Sequence, residues 1–208
     1  NYRPVEPCLL RSMTVRNQPC VSVLLPAYQA AEFIQLTLDS ISSQTSTDFE
    51  AIVSVDASDD STLDICLKHA ARDARFKVFR QASRLGYVGN CNFLLSKSDA
   101  DLAMFAFHDD ILAPAYVEKL AAALGNSLHA ALSYSDLEVT NTDGTREQWS
   151  FSALEGISDR VVRGVKMLGL PRGWWVPNRG MFRMSSARKV GGLKTHASGE
   201  FSTDWPWL

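Results

Sequence analysis

The chain of 208 residues can bury a core as one large domain or one and a half, and its 46% hydrophobic and 21% charged residues are typical of a soluble globular protein. Its net charge of −2 and pI near 6.1 exclude a polycation that would hold nucleic acid or an anionic membrane by charge alone. We therefore expect no nucleic-acid partner. Any anionic substrate has to be held by local groups.

The cysteines and the apolar runs indicate the cellular compartment of the protein and whether it spans a membrane. Cys8, Cys20, Cys66 and Cys91 form no C-x-x-C pair and no spacing typical of a zinc site or a disulfide framework, so we expect a reducing, cytoplasmic location. No apolar stretch approaches the roughly 18 residues of a membrane-spanning helix, and the start of the chain lacks the pattern of a secretory signal. The sequence predicts no transmembrane segment and leaves peripheral membrane association open.

Residues 1–20 contain three prolines and no period of either kind, which predicts an irregular N-terminal arm. After this arm, buried-strand runs alternate with segments of helical period. The predicted strands are Val21–Leu25 (stopped by Pro26), Ala51–Val55, Lys77–Arg80, Leu102–Phe107 and Ala130–Val139. The predicted helices are Ala30–Ser43, one from Leu63 capped by Asp60 or Ser61, one after the Gly86 loop, one from Pro114 to Leu124, and Leu154–Leu170. This order predicts an α/β fold with a mostly parallel, doubly wound, Rossmann-like sheet flanked by helices.

Two adjacent carboxylates, Asp109 and Asp110, end the apolar run Leu102–Phe107. Ligands of open α/β sheets bind just beyond the carboxyl ends of such strands. Neighbouring anions repel each other unless a cation or donors compensate them, and Mg²⁺ commonly sits on one or two carboxylates plus phosphate oxygens. The alternative is an acidic turn before a helix whose first turn holds Pro114.

Six segments, in order and spacing, resemble the signatures of family 2 glycosyltransferases of the GT-A fold. They are Val21–Tyr28, Asp56–Thr62, His108–Asp110 with Pro114 and Tyr116, Gly180–Arg183, Val190–Leu193 and Thr203–Trp205. The resemblance runs from about Val21 to Leu208. It implies an inverting, nucleotide-sugar-dependent transferase with Mn²⁺ or Mg²⁺ as cofactor and UDP-sugar as the expected donor.

The resemblance also implies roles for individual residues. Tyr28 and Asp56 hold the base beyond Pro26, although Val55 stands where the family often has a first acid. Asp110 binds the metal, and Asp109 contacts the ribose or a metal-bound water. The remaining implied sites are Gly86 and Asn92, in the loop under the nucleotide, and Asp204, the general base that deprotonates the acceptor hydroxyl.

Each of these residues also has a structural interpretation. Tyr28 can be an ordinary residue at the rim of the sheet, Gly86 a simple turn glycine, and Asp204 an N-cap. A histidine beside acids is more often a hydrogen-bonded neighbour than a ligand, so His108 is left out of the metal site.

Late in the chain, the sequence predicts an acceptor side. Trp149, Phe151, Trp174 and Trp175 suit either sugar stacking or core packing. Residues 194–202 can form a loop that closes over the substrates, or can simply be disordered. We expect residues 21–140 to bind the nucleotide sugar. Residues 141–208 would form the acceptor-side region, which is truncated at the C-terminus if the natural protein is longer.

The predicted reaction transfers a sugar to a hydroxyl of a saccharide, a lipid-linked or another acceptor, as in polysaccharide biosynthesis. One alternative is an inactive nucleotide-sugar-binding module of the same fold. Another is a sugar nucleotidyltransferase, although the loop after the first strand is neither glycine-rich nor basic. A dinucleotide oxidoreductase is disfavoured because no G-x-G-x-x-G follows that strand.

Overall fold

The computed structural model describes residues 19–170 and 176–195. The strands are β1 Val21–Ala27, β2 Phe49–Val55, β3 Phe76–Arg80, β4 Leu102–Phe105, β5 Leu132–Ser133, β6 Leu137–Thr140, β7 Arg146–Trp149 and β8 Met181–Arg183. The α-helices are α1 Ile34–Ser42, α2 Thr62–Ala70, α3 Gly86–Lys97, α4 Tyr116–Gly125, α5 Arg160–Leu168 and α6 Met184–Val190. Short 3₁₀ helices cover Ser152–Leu154 and Val176–Arg179.

The main sheet has six strands in the order β3-β2-β1-β4-β8-β5. Strands β1 to β4 are mutually parallel, and β8 is antiparallel to both of its neighbours, β4 and β5. The chain steps outward from β1 to β3 and then crosses to β4 on the other side of β1, which makes the gap between β1 and β4 the topological switch point. The predicted α/β fold with a mostly parallel sheet is confirmed.

Helices cover both faces of this sheet. Alternate residues of β1 point to opposite sides: Val23 and Leu25 join the core formed with α1, α2 and α4, whereas Leu24 joins the core formed with α3 and α6. All seven residues of β1 and all seven of β2 are buried, which is why both strands read as continuous apolar runs rather than alternating ones. Burying each large aliphatic side chain contributes about 1.5–3 kcal/mol.

Proline at position 26 does not stop the first strand, contrary to the sequence-based prediction. Strand β1 continues through Ala27 and pairs Pro26 with Ser54 of β2. On the other side, the ladder with β4 ends where the Ala106 N–H donates to the Leu24 carbonyl, at 2.9 Å. Pro26 has the same strand parity as Leu24, so its nitrogen faces a side on which no further ladder bond is made, and its missing N–H costs little.

Two predicted elements between β4 and β8 are wrong in their extent. The stretch Ala130–Val139 forms two strands in different sheets, because β5 pairs with β8 whereas β6 pairs with β7 in a hairpin. The predicted helix Leu154–Leu170 is broken after the 3₁₀ turn by Gly156, whose φ is 71°. Helix α5 then starts afresh at a new N-cap, Asp159, whose Oδ1 accepts the N–H groups of Val161 and Val162.

Strand β8 joins the two predicted regions, since it lies beyond residue 140 in sequence yet pairs with β4 in the main sheet. Gly180 directly before it allows the close approach to β5: a Cβ there would lie 2.5 Å from the Ser133 carbonyl oxygen and 2.9 Å from that of Pro177. The division of the chain into a donor and an acceptor region at residue 140 stays a prediction.

The cysteines only partly fit the expectation of reduced thiols. Cys66 and Cys91 are free and buried, and burial raises the pKa of the Cys66 thiol to about 12. Cys20 is disulfide-bonded, so the expectation is wrong at this position. Spacing alone could not reveal this bond. Cytoplasmic location stays a prediction. No helix within the described parts of the chain is long and apolar enough to cross a membrane.

Candidate active site at the carboxyl edge of the sheet

Three predicted site segments follow neighbouring parallel strands at the same edge of the sheet. Tyr28 follows β1, Asp56 follows β2, and Asp109 and Asp110 lie just beyond β4. Because β2 and β4 both run parallel to β1, their carboxyl ends lie on either side of the end of β1. The fold therefore gathers a tyrosine and three carboxylates around the switch point, where such sheets bind ligands.

Asp56 is buried, with 2% of its surface exposed, and main-chain groups hold its carboxylate. Oδ1 accepts the Leu85 N–H at 2.7 Å and the Ala57 N–H at 3.1 Å, and Oδ2 accepts the Gly86 N–H at 2.9 Å. A carboxylate offers about four lone-pair sites, so three donors leave one acceptor site on this group. Asp56 thus fixes the loop at Leu85 and Gly86 and keeps a single acceptor site.

Gly86 begins α3 with a φ of 73°, a left-handed conformation that favours glycine. This conformation aims its N–H at Asp56. Asn92, on the same helix, is engaged elsewhere: its Nδ2 donates to the Leu193 carbonyl and its Oδ1 accepts the Leu193 N–H, each at 2.9 Å. The structure therefore brings Gly86 to Asp56 and ties Asn92 to the turn after α6. The nucleotide contact of Asn92 stays a prediction.

Tyr28 is half-buried, and a guanidinium lies on its ring. The Cζ of Arg84 is 4.1 Å from the ring centroid, in cation–π geometry. Arg84 itself is exposed and precedes the loop that Asp56 holds. A base that stacks on Tyr28 would use the face opposite Arg84 or displace this exposed side chain. Arg84 was not predicted from the sequence as a site residue. Its position two residues before Gly86 was the signal that could have indicated it.

Asp110 is held by a side chain rather than by the main chain. The Nε of Arg179 donates to Asp110 Oδ2 at 2.7 Å, and the two side chains are 27% and 29% exposed, respectively. The same guanidinium lies 4.8 Å from the centroid of the Phe107 ring, and the Tyr116 hydroxyl donates to the Arg179 carbonyl at 3.1 Å. Burial raises the pKa of the Asp110 carboxyl, and the charge of Arg179 opposes this shift. Arg179 comes from the 3₁₀ turn before β8, so sequence reasoning had no local signal for the pair.

The carboxylates of this site suit a metal ion that is held jointly by the protein and a substrate better than one held by protein side chains alone. Within residues 19–170 and 176–195, no group of three or more His, Cys, Asp or Glu side chains is placed to hold a metal. Asp110 is half-buried, and its neighbour Asp109 is exposed. One or two such carboxylates suffice for Mg²⁺ when substrate phosphates complete its shell. Asp110 and Asp109 could thus contribute to a metal site that substrate oxygens complete, although Arg179 occupies Asp110 in this structure.

The acid-bearing loop after β4 is braced by buried polar side chains of α1 and the turn that follows it. Thr37 Oγ1 donates to the His108 carbonyl at 2.9 Å, and Ser40 Oγ accepts the Leu112 N–H at 3.1 Å. Gln44 donates to the Ala113 carbonyl at 2.8 Å and accepts the Val117 N–H at 3.0 Å. Their spacing of three and four residues on one helical face was a signal in the sequence that we did not use.

Asp204, the predicted general base, lies outside the described residues, as do Trp174, Trp175 and most of the predicted closing loop. Two of the predicted aromatic residues are described: Phe151 is buried and Trp149 packs against the small core that it forms with Leu154 and Val176. For these two, the core-packing interpretation holds.

Residues 22–182 match the sequence model of glycosyl transferase family 2. An uncharacterized glycosyltransferase of Haemophilus influenzae is 31% identical over 125 residues, which are 60% of this chain and 39% of that protein. The chain thus spans well under two thirds of the length of this relative.

Two solved glycosyltransferases share the fold at low identity. S. aureus TarS residues 1–349 in complex with UDP-GlcNAc superposes with a TM-score of 0.66 at 19% identity, covering 90% of this chain and 52% of that one. The mannosyltransferase PcManGT from Pyrobaculum calidifontis, in complex with GDP-Man and Mn²⁺, gives 0.64 at 18% identity, covering 85% and 48%. With a family match over most of its length and the strand-end site that its fold builds, this chain belongs to glycosyl transferase family 2.

Proposed function

We propose that this chain transfers a sugar from a UDP-sugar to an acceptor hydroxyl with inversion at the anomeric carbon. The observation that carries the proposal is the gathering of Tyr28, Asp56, Asp109 and Asp110 around one switch point. The donor class is supported by the acceptor site left on Asp56, which suits the ring N–H of a uracil base. It is also supported by the fold shared with TarS, which was solved in complex with UDP-GlcNAc.

In this proposal, the uracil stacks on Tyr28 while Asp56 accepts its N–H, and Asp109 contacts the ribose. Asp110 would hold Mn²⁺ or Mg²⁺, and the ion when bound would supply positive charge against the leaving group. Arg179, when released from Asp110, is a second cation beside the diphosphate. Pro26 and Gly86 shape the main chain around the nucleotide.

Asp204 is the proposed general base. As the acceptor oxygen bonds to the anomeric carbon, its proton passes to the Asp204 carboxylate. The bond from that carbon to the diphosphate oxygen breaks, and its electron pair leaves with the nucleoside diphosphate. General-base help of this kind is typically worth about 10²- to 10⁴-fold in rate. The acceptor is a hydroxyl of a saccharide or a lipid-linked acceptor.

A thermal-shift panel of nucleotide sugars, with and without Mn²⁺, tests the donor assignment, because a ligand that binds only the native state raises its stability. We expect UDP-sugars to raise Tm only when the metal is present. Stabilisation by ATP or NAD instead of UDP-sugars would contradict the donor class. Asp204→Asn should then abolish transfer while leaving donor binding intact, whereas wild-type binding without transfer from any donor would favour an inactive binding module.

A further inference from the structure

Helix α5 carries an apolar stripe that faces solvent. Val161, Val165 and Leu168 are 67%, 65% and 54% exposed, and the adjoining Val162 is 47% exposed. At 100° per residue, these four side chains lie within one third of the helix circumference. The helix contacts the small core around Phe151 through Met167, on another face. An amphipathic helix normally turns its apolar stripe to the core, so here the stripe points the wrong way for a structural role.

Basic side chains flank this stripe. Arg160 and Lys166 lie on opposite sides of it and are exposed, and Arg163 is exposed near Lys166, with its guanidinium donating to the Ile157 carbonyl. No acid occurs within α5, and the preceding Asp159 is engaged as the N-cap. Long basic side chains beside an apolar surface can place their charges at lipid headgroups while their stems cover hydrocarbon.

The sequence around α5 extends the same chemistry. Residues 160–199 contain nine of the 21 Lys and Arg residues of the chain and no Asp or Glu, although the whole chain has a net charge of −2. Arg179, Arg183 and Arg188 make internal contacts. Within the described part of this stretch, α5 combines four exposed apolar side chains with three exposed basic ones, whereas α6 exposes only Val190 beside Arg188 and Lys189.

We propose that α5 docks this protein on an anionic lipid surface. The helix lies in the plane of the headgroups, with its apolar stripe inserted into the bilayer. A soluble polyanion would explain the charges but not the exposed valines. A second copy of the chain would bring like-charged helices together, and four side chains are far fewer than the 20 to 30 residues that a stable interface uses on each side. An anionic bilayer accounts for both features, because its hydrocarbon accepts the apolar stripe and its headgroups attract the flanking cations.

Co-sedimentation of the full chain with vesicles tests this surface. The vesicles contain either phosphatidylcholine alone or phosphatidylcholine with phosphatidylglycerol. We expect the protein to pellet with the anionic vesicles, to stay in the supernatant with the neutral ones, and to dissociate as NaCl rises from about 0.1 to 0.5 M. The triple substitution Val161→Ser, Val165→Ser and Leu168→Ser should weaken binding about tenfold or more, as should Arg160→Gln with Lys166→Gln.

The control is Leu67→Ser, which removes a large apolar side chain that is 49% exposed on another helix, α2. All variants should melt at the wild-type temperature, because the changed side chains face solvent. The proposal is overturned if wild type ignores anionic vesicles, if Leu67→Ser weakens binding as much as the triple variant, or if the stripe substitutions instead dissolve a dimer seen by size-exclusion chromatography. None of these readouts depends on sugar transfer.

Discussion

Two carboxylates at the same edge of the sheet are held in different ways. Asp56, after β2, is buried and receives three main-chain N–H groups, whereas Asp110, after β4, is half-buried and pairs with the side chain of Arg179. Main-chain donors are fixed by the fold, but a guanidinium on a flexible stem can leave. We therefore call the first region rigid, because its donors belong to the fold, and the second exchangeable, because a side-chain cation can be replaced.

The largest expected effect concerns the exchangeable region. Under the proposed mechanism, Asp110→Asn should lower the rate of sugar transfer by about 10²- to 10³-fold, because the leaving diphosphate would lose its compensating cation. Its free energy of unfolding should change by no more than about 1 kcal/mol, since the lost ion pair is partly exposed. Transfer assays and chemical denaturation measure the two quantities. Asp64→Asn, an exposed acid in the first turn of α2, is the control. It should leave the transfer rate unchanged and lower stability by no more than about 1 kcal/mol, through the loss of its favourable charge at the helix N-terminus.

The rigid region should respond in the opposite way. Asp56→Ala removes the acceptor of three main-chain donors and should lower the free energy of unfolding by about 2–4 kcal/mol. Chemical denaturation with urea measures this loss. If Asp56→Ala were as stable as wild type, the difference between the two regions would disappear, and Asp56 would be a ligand group only.

The next largest expected effect concerns Gln44, which braces the loop that carries Asp110. Gln44→Ala should cost about 2 kcal/mol of unfolding free energy, because the Val117 N–H and the Ala113 carbonyl lose their buried partner. Gln35→Ala is the matched control, since Gln35 is exposed on the adjacent helix α1. Equal losses in the two variants would show that Gln44 does not specifically support the acid-bearing loop.

The smallest effect tests the main-chain geometry beside Asp56. Gly86→Ala places a Cβ on a residue with a φ of 73° and should cost about 1–2 kcal/mol in unfolding free energy. Gly164→Ala serves as the control, because Gly164 lies within α5 and an added Cβ meets no atom within 4 Å. The control should lose no stability, as alanine is the better helix former. A neutral Gly86→Ala would show that the loop can turn without glycine.

Much of the parallel half of the fold was readable from the sequence. Strands β1, β2 and β4 are buried on both faces, so their apolar runs marked them clearly, and α1 shows its core face through Ile34, Leu38 and Ile41. The predicted ends of strands and helices were wrong where local sequence signals conflict. Proline normally ends a strand, and only the neighbouring ladder shows why Pro26 does not. The apolar residues on both sides of Asp159 form one helical pattern, so the N-cap between them was not recognised.

The contacts that define the site were not readable, because they join distant residues. Asp56 meets the loop at Gly86 across 30 positions, Asp110 meets Arg179 across 69, and Asn92 meets Leu193 across 101. Sequence patterns placed the acids at strand ends, and the resemblance suggested their roles. Only the tertiary structure shows how many donors each acid already accepts.

The late arrival of β8 has a consequence for how the chain folds. During synthesis, β4 emerges long before Met181–Arg183, and until then its edge lacks the antiparallel partner that also joins it to β5. An apolar strand with an open edge is a template for aggregation. A nascent or proteolysed chain that ends before Gly180 would expose this edge, so the parallel half should not be expected to fold as a well-behaved unit by itself.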